Sequence, residues 1–188
     1  MPLLDFWNSS PQAVAQFTIE QVVKIAGDGN LRDDSSCSEE LRQYLAQLPD
    51  SGKIRAYIEQ CLSSAFPKSG MVLQDLVNEL GRRLDYIVAN GRYQGTSNRI
   101  GFDGTWKSPE GHTVVVEVKT TDAYRVSLAT IAGYRNKLQA TNVITPRSSI
   151  LIVVGREDTG ELESQARIPG TRFALRVGYP INQHRRIR

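Results

Sequence analysis

The chain has 188 residues, 40% of them hydrophobic and 23% charged, with a net charge of +3. That length suits one domain, or one domain with a helical extension, and no apolar run approaches the roughly 18–20 residues a membrane span requires. The opening Met1-Pro2-Leu3-Leu4-Asp5 lacks a basic n-region, so no secretory signal is expected. Cys37 and Cys61 are the two cysteines; without metal-ligand spacing they point to a reduced, cytoplasmic setting. The charge is uneven: residues 1–70 hold 6 basic and 9 acidic side chains, and residues 71–188 hold 17 and 11. Of the 23 basic residues 17 are arginine, whose planar fork matches phosphate.

Pro11 and the stripe Val14, Phe17, Val22, Ile25 predict a helix over 11–26, stopped by Gly27-Asp28-Gly29-Asn30. Ser38-Glu39-Glu40-Leu41 opens a second helix that runs to Pro49. A third covers 53–65, with Ile54, Tyr57, Ile58, Cys61 and Leu62 on one face. These form an acidic helical lobe, 1–66, which serves as a cover, a dimerisation surface or a docking element. Phe66-Pro67-Lys68-Ser69-Gly70 separates it from the rest. A helix over 71–84 follows, with Glu79 at the flank of its apolar arc. Strands are expected at 86–94, 99–103 and 113–120, with a turn from Trp106 to Gly111. Then come a helix at 127–140, an apolar strand at 149–155, a turn and short helix within 157–169, and a late strand from Phe173 to Val177. The tail, 179–188, is basic. The order α-β-β-β-α-β from residue 71 fits a mixed sheet flanked by helices, an α/β (mixed α+β) class.

The chemistry gathers on Thr113-Val114-Val115-Val116-Glu117-Val118-Lys119-Thr120-Thr121. This is an apolar strand interrupted by two charges, and unpaired ions are costly to bury. On a period of two, Glu117 and Lys119 share one face while Val114, Val116 and Val118 share the other. Asp103 ends the preceding expected strand in Ile100-Gly101-Phe102-Asp103-Gly104. Two carboxylates brought to one sheet edge repel unless a cation sits between them, and a hard divalent ion suits oxygen ligands.

Gly101-Phe102-Asp103-Gly104, Val115-Val116-Glu117-Val118-Lys119-Thr120-Thr121 and Glu79 on the preceding helix together resemble the PD-(D/E)xK nuclease superfamily, in its Mrr-like, restriction-endonuclease-like flavour. The resemblance covers residues 71–155 and says nothing of residues 1–70. Where the family motif has proline before the aspartate, this chain has Phe102. It implies a restriction-endonuclease-like αβββαβ core spanning 71–178. It implies Mg²⁺ or Mn²⁺ held by Asp103, Glu117, the Val118 carbonyl and Glu79, with Asp103, Glu117, Lys119 and Glu79 as the catalytic set. The implied activity is metal-dependent phosphodiester cleavage by a DNA endonuclease of bacterial restriction, defence or repair type, working as a homodimer, with DNA ahead of RNA as substrate. Arg99, Tyr124, Arg125, Arg135 and Lys137 are candidate nucleic-acid contacts. Trp106 is a candidate base-stacking residue or a part of the core. The alternative is a nuclease-like subunit that binds nucleic acid or a partner without cutting.

Overall fold

The computed structural model describes residues 3–64, 66–94, 101–120, 127–155 and 173–177. Six helices come first: α1 (Leu3–Ser9), α2 (Pro11–Val14), α3 (Ile19–Ile25), α4 (Ser36–Gln47), α5 (Ser51–Ser63) and α6 (Ser69–Arg83). Then follow β1 (Ile87–Asn90), β2 (Gly104–Lys107), β3 (Thr113–Lys119), α7 (Leu128–Ala140), β4 (Ser148–Val154) and β5 (Phe173–Val177). From α6 onward the order is α-β-β-β-α-β-β, which contains the predicted succession.

The strands form one mixed sheet in the order β1-β2-β3-β4-β5. The β1–β2 and β2–β3 pairs are antiparallel, and the β3–β4 and β4–β5 pairs are parallel. The parallel β3–β4 connection runs through α7, as a crossover requires. β3 and β4 lie inside the sheet, and their middles, Val114-Val115-Val116 and Ile150 to Val154, are runs of Val, Ile and Leu, the composition of strands covered on both faces.

Two apolar layers sandwich the sheet. On one face, Val116 and Val118 join Val72, Leu73, Leu76 and Val77 of α6 and continue without a break into Tyr44, Leu45, Ile54 and Tyr57 of the helical lobe. On the other, Val115, Ile150, Ile152 and Val154 pack against Leu128, Ile131 and Leu138 of α7. The lobe therefore shares its core with the sheet through α6 rather than standing apart from it.

Three boundaries differ from the sequence reading, each for a local reason. The helix expected over 11–26 is two pieces, α2 and α3. Thr18 starts the second with a capping box, its side chain accepting from the Gln21 amide while Gln21 returns the bond; two orphan helix donors are satisfied there. Residues 3–9, unassigned from sequence, are helical. Of the strand expected at 99–103, residues 101–103 are not strand and 99 and 100 lie outside the described residues; β2 runs over 104–107, so Trp106 and Lys107, expected in the turn, are strand. Gly104, read as a terminator, is the first strand residue: a Cβ there would stand 2.2 Å from Asn78 Oδ1. The glycine lets α6 approach the sheet, a close-approach role rather than a breaking one. The predicted 157–169 segment and the 179–188 tail lie outside the described residues.

Candidate functional site

The β2–β3 hairpin positions the chemistry. Its register pairs Gly104 with Val116 and Lys107 with Thr113, and Gly111, at φ 82°, turns the chain between them, a conformation that favours glycine. Asp103 lies one residue before β2, and its amide donates to the Val116 carbonyl at 2.9 Å. Its side chain reaches past the end of β2 along β3, where Oδ2 accepts from the Val118 amide at 2.6 Å. Groups two apart on a strand face the same edge. The Val118 carbonyl thus points to the same edge as the Val116 carbonyl, the edge on which Asp103 lies.

Glu117 is 7% exposed and lies beside Ile152 of β4, on the face that α7 covers. Lys119 Nζ stands 2.6 Å from Glu117 Oε1, with its side chain 45% exposed. The pair is therefore rooted in the core and opens to solvent at the lysine.

The three side chains sense one another. Burial, then the nearby Glu117 charge, push the Asp103 carboxyl up from 3.8 to about 6, against the opposing pull of the Val118 amide and Lys119. Burial alone would lower the Lys119 ammonium, but the hydrogen bond and charge of Glu117, with Asp103, hold it above its ordinary value. Lys119 is a cation here, and Tyr134 of α7 adds to that upward pull.

Helix α6 approaches this corner with amides rather than acids. Gln74 Nε2 and Asn78 Nδ2 each donate to the Asp103 carbonyl oxygen at 2.9 Å, and the Gly91 amide donates to the same oxygen at 3.0 Å. Asn78 Oδ1 in turn accepts from Trp106 Nε1 at 2.9 Å. Sequence reasoning passed over Gln74 and Asn78. Their signal was present as two amides four apart within the apolar arc of one helix, where a polar side chain is expected only with a buried partner.

Glu79 is not brought to Asp103. Its carboxylate meets Arg83 Nε at 3.1 Å and Arg82 Nη1 at 3.6 Å. Arg83 also donates to the Leu45 and Leu48 carbonyls at 3.0 and 2.8 Å, closing the end of α4. α6 is covered on two sides, and Glu79 occupies the lobe side with Asp75, whereas Gln74 and Asn78 occupy the sheet side. Asp75 is fully buried, paired with Arg42 Nε at 2.9 Å and hydrogen-bonded by the Tyr93 hydroxyl. Desolvation raises its carboxyl above the ordinary value despite Arg42 and Tyr93.

The nucleic-acid candidates also separate. Arg135 is buried, with Nε donating to Ser148 Oγ at 2.9 Å. Ser148 pairs with Thr113, at the end of β3 away from Lys119, so Arg135 anchors α7 to β4 instead of facing the site. Lys137 is exposed, in the last turn of the same helix, two residues beyond Arg135. Trp106 is buried against Gly81 and Asn78 and offers no ring for stacking. Arg99, Tyr124 and Arg125 lie outside the described residues.

Among the described residues no three His, Cys, Asp or Glu side chains group as metal ligands, and no helix is long and apolar enough to cross a membrane. Both cysteines are free and buried. No family model, no curated protein and no solved structure matches this chain.

Proposed function

We propose that the chain is a metal-dependent phosphodiesterase acting on nucleic acid, with DNA as the leading substrate, of the PD-(D/E)xK type. The observation that carries this reading is the juxtaposition of Asp103, Glu117 and Lys119 at the end of the β2–β3 hairpin. Asp103 is pushed up to about 6 by burial and by Glu117, and the one ammonium present sits on the Glu117 carboxylate.

These residues fit a hard divalent ion. The donors are two carboxylates and the Val118 carbonyl, all oxygen, the set that suits Mg²⁺ or Mn²⁺. Such an ion supplies Lewis-acid polarisation of the scissile phosphate and a more acidic water. Asp103 and Glu117 would hold it with the Val118 carbonyl, and Glu79 has no part in that set. Lys119 acts as an ammonium, orienting the attacking water and offsetting charge that develops on the phosphate. Its exposed end faces arriving substrate, while its stem and Glu117 are fixed by the core. Two copies of the chain would bring one such centre to each strand of a duplex.

The test is cleavage by purified protein in Mg²⁺ or Mn²⁺, with plasmid DNA, single strands and RNA as substrates. Asp103→Ala and Lys119→Ala should each abolish it. Both variants cutting every substrate as fast as the parent would overturn the assignment. One observation favours a second reading, a nuclease-like module that grips without cutting: Glu79 is committed to Arg82 and Arg83, which leaves two carboxylates where the family flavour carries three. Calorimetry separates the two. Mn²⁺ uptake supports the enzyme, and DNA retention in chelator without Mn²⁺ uptake supports the module.

A further inference from the structure

We propose that Gln74 and Asn78 are positioning residues for Asp103: their two side-chain amides, with the Gly91 N–H, converge on the Asp103 carbonyl and aim its carboxylate at Val118 and Glu117. The inference deepens the proposed reading and rests on it for its consequence in catalysis.

A carbonyl oxygen has two lone pairs, and here three donors meet it at 2.9, 2.9 and 3.0 Å. That is more than satisfaction of one backbone acceptor requires. The donors come from two separate constraints, α6 and the Gly91 backbone. Gln74 is 3% exposed and Asn78 0%, both on the rigid, core-facing side of α6. Asn78 is itself held by Trp106 Nε1. Gly91 is pressed against Phe102 and Asp103 so closely that a Cβ would stand 1.9 Å from the Phe102 carbonyl. The Asp103 backbone is thereby fixed on the α6 side of the sheet edge, and its side chain reaches the Val118 amide on β3. Asp103 lies outside the β2 ladder, so a loosely held residue 103 would swing its carboxylate away from the Val118 amide. The three donors oppose that motion. Residues that orient a metal-binding group in this way typically change affinity by about 10–100-fold when removed.

Two variants separate positioning from packing. Gln74→Met keeps length and removes the donor. Asn78→Asp keeps the acceptor for Trp106 and removes the donor to Asp103. Val72→Ala, a core truncation on α6, serves as the control. In metal-free protein the Val118 amide should exchange about tenfold faster relative to Ile152 in both variants, and not in the control. In Mn²⁺, affinity should fall by about 10–100-fold, and kcat should fall with KM for DNA unchanged. Unchanged Val118 exchange in both variants overturns the proposal, as does an affinity loss equal to that of Val72→Ala. Faster Val118 exchange in both variants, with a parent that takes up no Mn²⁺, upholds the positioning of Asp103 and removes the metal reading instead.

Discussion

Asp103→Asn separates charge from shape at the site. Asparagine mimics the protonated acid: it keeps an oxygen for the Val118 amide, now at 2.6 Å from Oδ2, and removes the charge that Glu117 opposes. The Asp103 carboxyl is raised from 3.8 to about 6. A folded-state value above the unfolded one means the native state binds the proton more tightly. The associated stability is present below the unfolded value and is lost as pH rises through about 6. At about 1.4 kcal/mol per unit, the parent forgoes about 3 kcal/mol above that window. In chelator, the asparagine variant should therefore match the parent near pH 4 and exceed it by up to about 3 kcal/mol at pH 8. For a chain of this size that is a rise in Tm of about 6–12 °C. Adding Mn²⁺ should close that gap and then reverse it. The parent gains about 2.7 kcal/mol at a hundredfold excess over Kd and about 4.1 kcal/mol at a thousandfold excess, and the variant gains nothing. Thermal melts from pH 4 to pH 8, with chelator and then with Mn²⁺, measure both effects. An advantage that is absent at pH 8, or equal at pH 4 and pH 8, would refute the electrostatic account of this site.

Three other perturbations follow from the geometry. Arg42→Met leaves Asp75 buried without its ion pair and should cost about 3–5 kcal/mol in urea melts; a loss below about 1 kcal/mol would show the pair to be dispensable. Gly81→Ala sets a Cβ 2.6 Å from the Trp106 ring, and overpacking of this kind should cost about 1–3 kcal/mol, with β2 loosened in amide exchange. Glu79→Gln should lower stability, since it weakens the contact with Arg83 that closes α4, yet leave the cleavage rate within about twofold of the parent, where loss of a metal-binding carboxylate would cost several kcal/mol of transition-state stabilisation. A large rate loss would return Glu79 to the catalytic set.

What could be read without coordinates was what one strand encodes by itself. Glu117 and Lys119 within a run of valines carry both the strand and its two faces, because alternation is a local property. The late strand from Phe173 to Val177 was likewise expected, and β5 has those bounds. What could not be read depended on a partner. Gly104 looks like a strand terminator until Asn78 is seen to occupy the space a side chain would need. Glu79 and Gln74 lie five apart on α6, and periodicity does not say which flank of a helix covered on two sides faces the sheet. Only the packing of α4 against α6 assigns Glu79 to Arg83. Arg135 reads as a surface cation until Ser148 and the Pro146 carbonyl take its donors.

The distribution of arginines around α6 bears on the site more than any single distance. Two acids of that helix are generously matched: Asp75 has Arg42, and Glu79 has both Arg82 and Arg83. One face away, Asp103 and Glu117 lie close enough to repel, and among the described residues their one ion pair is Lys119 to Glu117. α6 meets Asp103 with neutral amides that bond its backbone carbonyl and bring no charge to its carboxylate. Arginines serve the acids elsewhere on the helix, so the shortfall is local and does not reflect a general lack of basic residues. Sequences break such rules mainly where function requires it. Among the described residues this carboxylate pair is one positive charge short while the Asp103 backbone is held by three donors, and on the proposed reading a divalent cation would complete that balance.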